Sequence, residues 1–391
     1  MEVALKLLGI LFLISRPLIS IVQADENSIS EIVEIYRPFY TDSELKQYYV
    51  EIEKIELRLR KKLKNITGAR NIINALNSYI FTDLHFKYQE SLDNIGLVSP
   101  PSVIEKRTGN CIGLSTLYVC LGKKLNLPLF LVLAPNHCFV RYDDGAEKIN
   151  LEMSDKGSPY SNKECVEKSK IPIAVIKNTA YLKTLRKNQV LGVLYSNLGV
   201  IYLKQKNYNS AIEVLKKSLS LISNIPETHS NLGVAFLTSG HVDEATKEFN
   251  EAIRLNPYNA RSYSNLGNAY DENREYISAI EAHKKALSLE PQSDAIKNNL
   301  NVSEQNAARY YYNLGKKHFE AKEYDLAAQE WNRYLIVNPS DADVHNNLAI
   351  IYYLQMNYDL AWKHVELADK YGRPVDKEVI DALRYKSNRY Y

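Results

Sequence analysis

The tripeptide Asn-Leu-Gly returns at a set interval through the second half of this chain, and that interval constrains the fold more than any other feature. It stands at 197–199, 231–233, 265–267 and 313–315, with Asn347-Leu348-Ala349 as a fifth copy. The leucines are 34, 34, 48 and 34 residues apart. Three residues beyond each Gly or Ala comes Tyr202, Phe236, Tyr270, His318 or Tyr352. Twelve beyond it comes Ala211, Ala245, Ala279, Ala327 or Ala361, and Pro257, Pro291 and Pro339 close three of the units. A period of this length marks units that cannot bury their apolar faces alone and so stack on their neighbours.

These offsets resemble the tetratricopeptide repeat (TPR), over about residues 192–375. The resemblance implies an all-α superhelix of about five units. Each unit would be two antiparallel helices brought close by the small residues at the Gly and Ala positions. The long interval contains Ser293–Tyr310 without Gly or Pro, which predicts one long helix offsetting the third and fourth units. The polar residues 376–391 predict a capping helix. In this repeat the asparagine position faces the concave groove, so the resemblance implies a ladder of Asn197, Asn231, Asn265, Asn313 and Asn347. A primary amide both donates to and accepts from a peptide backbone, so the implied partner is a protein or peptide segment.

The first half reads differently. Residues 29–36, 42–63 and 71–86 have helical spacing. Gly109-Asn110 then makes a turn before an apolar helix over Cys111–Lys124. Cys111 therefore opens a helix, where unpaired N–H groups and the dipole stabilise a thiolate. Residues 129–141 and 147–153 read as two strands rich in branched and aromatic residues. Asp144-Gly145 between them is a two-residue hairpin signal that asks for positive φ at both positions. With that turn, residues whose numbers sum to 289 face each other, so Glu152 lies opposite His137, with Cβ atoms about 5 Å apart. A carboxylate against an imidazole is the orienting pair that the base of a thiol nucleophile needs.

Arg107-Thr108-Gly109-Asn110-Cys111, Leu125-Asn126-Leu127-Pro128, Pro135-Asn136-His137 and Asn150-Leu151-Glu152 together resemble the transglutaminase-like branch of the papain-like superfamily, over about 70–180. The resemblance implies an α+β domain with Cys111 as nucleophile, His137 as general base and acid, and Glu152 as orienter. Glu152 is one methylene longer than the usual Asp, and Asn150 could substitute for it. The backbone N–H of Cys111 supplies one oxyanion donor; no residue is assigned as the second. The whole reads as a two-domain chain: an export signal at 1–24, the transglutaminase-like α+β domain at 25–180, and the TPR array at 181–391. The implied activity is cysteine-dependent acyl transfer on protein or peptide amide bonds, of peptidase, amidase or transglutaminase type. The other reading is a non-catalytic TPR scaffold carrying a degenerate domain of this family.

The remaining thiols read as structural. Cys120 is nine residues along the helix from Cys111 and points to the opposite face. Cys138 faces the other side of the strand from His137 and reads as core, and Cys165 falls in a polar loop. No CxxC or HxxxH spacing supports a metal site, and no cofactor is expected. The other histidines read as surface or packing residues on helices. The 49 Lys and Arg against 46 Asp and Glu give a net charge of +3, which supplies no electrostatic footprint for nucleic acid. Lys6, the apolar run Leu7–Ile14 and Val22-Gln23-Ala24 have the layout of a secretory signal, which predicts an exported, periplasmic or secreted protein. The run is too short for a comfortable membrane span, and no membrane contact is expected beyond that segment.

Overall fold

The computed structural model describes residues 29–91, 94–169 and 171–387. The expected export segment at 1–24 lies outside them. Among the described residues no helix is long and apolar enough to cross a membrane. Contacts divide the chain into two compact units, one running to Tyr258 and the other Asn259–Tyr391. The body that carries the cysteine thus extends well past residue 180, where the sequence pattern changes.

In the first unit, helix α1 (Asp42–Leu63) starts at a capping box. The Thr41 hydroxyl accepts from the Glu44 N–H, and the Glu44 carboxylate accepts from the Thr41 N–H. Its buried residues Leu45, Tyr48, Ile52, Ile55 and Leu59 recur every three or four positions, which places them on one stripe. Helices α2 (Ala69–Asn77) and α3 (Pro100–Lys106) lead to α4 (Cys111–Leu125), which is buried from Cys111 through Gly122. A four-stranded antiparallel sheet follows in sequence order: β1 (Leu129–Ala134), β2 (His137–Asp143), β3 (Lys148–Glu152) and β4 (Ser158–Tyr160). One face, with Leu131, Cys138, Val140 and Leu151, joins the main core with α4. The other face packs Val132, Ala134 and Phe139 against Cys165. Cys165 is 1% exposed on α5 (Asn162–Ser169), so the expected polar loop is a helix with its thiol turned inward. A short helix, α6 (Ile173–Asn178), precedes the repeats.

The expected single strand over 129–141 is two strands. Pro135-Asn136 forms a tight turn closed by the pair Ala134↔His137, with Asn136 at φ 53°. Proline suits the first turn position and asparagine tolerates the left-handed second one. The β2–β3 connection also departs from expectation. Asp143 pairs with Lys148, leaving a four-residue link in which Gly145 has positive φ (88°) and Asp144 does not. The Asp144 carboxylate accepts the N–H groups of Ala146 and Glu147, and this side-chain capping is what holds the longer link. Facing residues therefore sum to 291 rather than 289.

Two repeat hairpins complete the first unit: α7 (Lys187–Lys204) with α8 (Tyr208–Leu221), and α9 (Pro226–Thr238) with α10 (Val242–Leu255). Val190, Val193, Leu194, Leu198 and Ile201 of α7 belong to the same buried core as the cysteine helix. The second unit holds three more hairpins, α11 (Ala260–Glu272) with α12 (Tyr276–Leu289), α13 (Asp294–Glu320) with α14 (Tyr324–Val337), and α15 (Ala342–Leu354) with α16 (Tyr358–Lys370). It ends on α17 (Lys377–Ser387). The 48-residue interval is lengthened by α13, one helix of 27 residues. The repeat glycines permit close packing as expected: a Cβ on Gly315 would stand 2.5 Å from the Trp331 ring.

Candidate active site

Cys111 is placed by backbone constraints on both sides. Asn110 caps α4, its side-chain carbonyl accepting the Gly113 N–H at 3.0 Å, and its own N–H donates to Leu97 O at 3.1 Å. A Cβ at Gly113 would lie 2.0 Å from Leu97 O, so only glycine lets the first turn of α4 sit this close. The thiol is 6% exposed and opens into a cavity of about 130 Å³.

His137 begins β2 directly after the Pro135-Asn136 turn. Its Nε2 lies 2.8 Å from Glu152 Oε2, which leaves Nδ1 for the thiol. Glu152 Oε1 accepts from the Ser154 N–H at 3.0 Å and the Ser154 hydroxyl at 2.8 Å. Cys111, His137 and Glu152 therefore stand in series, as the sequence implied. Burial works against charge on the imidazole, but hydrogen bonds to Cys111 and Glu152 outweigh it and raise its pKa to about 10. Burial also pushes Glu152 up, and His137 with Ser154 more than reverse that, so its carboxyl sits below the ordinary value. The Cys111 thiol lies well below its ordinary value. A hydrogen bond from Cys138 is the largest cause; burial opposes it and His137 adds to it. An imidazolium–thiolate pair is the state these directions describe.

Several residues fall where sequence did not put them. Glu152 is diagonal to His137 rather than directly opposite, because the register differs by two; an even shift keeps both side chains on one face. Asn150 does not serve the histidine. It accepts from Arg141 Nε and donates to Asn162 Oδ1, each at 2.8 Å. Cys138 does face away from His137, but that face carries α4, and its sulfur lies beside the Cys111 thiol rather than in inert core. Cys120 is core, its thiol pushed up to about 12 by burial. Tyr88, unremarked in the sequence, has its hydroxyl pushed up to about 12 by burial and by the neighbouring Cys111. Of the remaining histidines, His229, His283, His345 and His364 are buried.

The repeats reach this site within the first unit. The cavity beside Cys111 and His137 is also lined by Asn197 of α7 and by Glu227 and Asn231 of α9. Asn197 donates back to Val193 O at 2.9 Å. The Glu227 carboxylate accepts from the Tyr181 hydroxyl and sits against the Asn136 N–H, and burial raises its pKa above the ordinary value. The first two asparagines of the expected ladder thus share a cavity with the thiol. In the second unit Asn313 lines a separate cavity with Arg274, Arg309 and Lys317. Asn265 and Asn347 lie on α11 and α15. Among the described residues no cluster of three or more His, Cys, Asp or Glu could hold a metal ion.

Residues 46–195 match the family described as the transglutaminase-like superfamily. Tetratricopeptide repeat families match 193–225, 238–273, 260–293 and 312–370. Human F-box only protein 21 is 30% identical over 107 residues, which is 24% of this chain and 16% of that protein. The chain therefore spans about one sixth of that relative. A UPF0162 protein of Xylella fastidiosa (strain 9a5c) is 25% identical over 210 residues, 49% of this chain and 71% of that protein. Among solved structures, the Sgt2 TPR domain from Aspergillus fumigatus is 27% identical, covering 29% of this chain and 77% of that one with a TM-score of 0.28. Pseudomonas aeruginosa pilF is 21% identical, covering 52% and 87% with a TM-score of 0.25. The chain joins a transglutaminase-like domain to an array of tetratricopeptide repeats.

Proposed function

We propose that the protein is a cysteine-dependent acyl-transfer enzyme acting on amide bonds of a protein or peptide that the repeats hold. The Cys111 thiolate attacks the carbonyl carbon, and the His137 imidazolium gives its proton to the departing amine. Glu152 keeps the ring oriented and stabilises its charge. Water or a second amine then attacks the thioester, its proton passes to His137, the C–S bond breaks and the thiolate returns. The observation that supports this reading is the thiol–imidazole–carboxylate series, with the thiol pKa lowered and the imidazole pKa raised. Asn197 and Asn231 in the cavity wall give a substrate backbone amides to pair with. Export by the N-terminal segment belongs to the same proposal.

A thiol-directed alkylating probe tests it. Cys111 should label faster than Cys165 at neutral pH, and the advantage should vanish in His137→Ala. Equal, slow labelling of both thiols would favour the scaffold reading instead. A Cys111→Ala protein used as bait in a periplasmic extract should retain its substrate for peptide identification.

A further inference from the structure

The mechanism above leaves one group at its centre unused. Cys138 lines the same cavity as Cys111 and His137. Its sulfur lies 4.0 Å from the Ser115 hydroxyl. Ser115 is four residues after Cys111, one turn along the same face of α4. The Cys138 sulfur therefore rests over the first turn of that helix, within reach of the nucleophile. Its backbone N–H is free of the sheet as well. Leu131 and Leu133 turn their carbonyls outward, to Leu185 and Leu182, so the pair Leu133↔Cys138 is not hydrogen-bonded and Cys138 N–H points towards the β3 side. Pairing with β3 begins only at Val140↔Leu151. The thiol and the backbone N–H of Cys138 are thus both left available at the cavity it shares with Cys111.

We propose that Cys138 is a positioning residue for the nucleophile, its thiol and backbone N–H both donating to the Cys111 sulfur. The two thiols shift oppositely, Cys111 down and Cys138 up, each chiefly through their mutual hydrogen bond. That is the pattern of one sulfur holding the charge while the other keeps its proton. A neutral thiol is a weak donor, but a charged acceptor strengthens the bond. Cys111 carries the charge because it alone has the helix terminus and His137 beside it. The consecutive His-Cys pair then has a division of labour: His137 moves protons, and Cys138 steadies the sulfur as thiolate before attack and as it leaves the thioester.

The assignment rests on the proposed activity only in taking Cys111 as the attacking thiol, and its test needs no substrate. Iodoacetamide alkylation of Cys111 is followed against pH by site-resolved mass spectrometry in the full-length protein. In Cys138→Ala the midpoint should rise by about one pH unit, a loss of about tenfold in rate on the acid limb. Cys138→Ser retains a donor of similar size and should restore most of it. Ser115→Ala removes the other acceptor for the Cys138 thiol and should leave the midpoint in place or lower it. A wild-type midpoint in Cys138→Ala, or equal shifts in the alanine and serine variants, would overturn the assignment; the latter would indicate packing. If the alanine variant does not fold, Ser115→Ala still decides, since a raised midpoint there contradicts a competing acceptor. A protein inert towards all acyl donors whose alkylation midpoint still shifts as stated refutes the proposed activity and supports the role of Cys138.

Discussion

His137 Nε2 meets Glu152 Oε2 along a strand diagonal, because the β2–β3 link is two residues longer than an Asp-Gly hairpin predicts. Side chains alternate with a period of two, so an even error leaves every side chain on its face and moves partners only along the strand. The reach of a glutamate, one methylene longer than an aspartate, closes the diagonal to 2.8 Å. The same parity argument placed Cys138 correctly on the opposite face, but which face α4 covers is not written in the strand. Glu152→Gln keeps the shape and the Ser154 contacts while removing the charge that helps hold the imidazole pKa near 10. The His137 pKa should fall towards its ordinary value. The alkaline loss of acyl-transfer rate, set where the ring sheds its proton, should then move to lower pH, and stability should drop by about 2 kcal/mol for the lost charged hydrogen bond. An unchanged alkaline limb in the pH–rate profile would show that Glu152 does not set the ring's proton affinity.

At the scale of elements, turns carry the site. The Asp-Gly signal drew attention to the β2–β3 link, yet the tight turn that sets His137 is Pro135-Asn136, hidden inside a continuous apolar run. Asn136 sits at φ 53°, a conformation costly for β-branched residues. Asn136→Val should lose about 1–2 kcal/mol and slow Cys111 alkylation, whereas Asn136→Gly should keep both near wild type. Thermal melts together with labelling rates check this, and equal behaviour of the two variants would contradict it. The repeat period is legible in the sequence because each unit repeats the same close approach. Gly199, Gly233, Gly267 and Gly315 all meet a large side chain of their partner helix, namely Leu215, Phe249, His283 and Trp331. Cys165 was misread because a short polar segment has too few turns for its helical period to show.

For the whole molecule, the division by packing does not follow the division by motif. The first two repeat hairpins belong to the unit that holds the thiol, and α7 supplies Val190, Val193, Leu194, Leu198 and Ile201 to its core. A chain ending at Tyr258 should fold and keep a reactive Cys111. One ending at residue 186 loses those five side chains, each worth about 2 kcal/mol of burial, and should lose cooperative unfolding. Melting curves of the two truncations decide it, and a stable, reactive chain ending at 186 would refute the shared core. The sequence by itself determined the repeat, the helix that opens on Cys111, and the shared strand face of His137 and Glu152, because these depend on local period and capping. Tertiary structure alone decided that Cys138 shares a cavity with Cys111 and that Asn197, Glu227 and Asn231 line it as well. Contacts between segments far apart in the chain are chosen by which faces are buried together, and no local pattern encodes that choice.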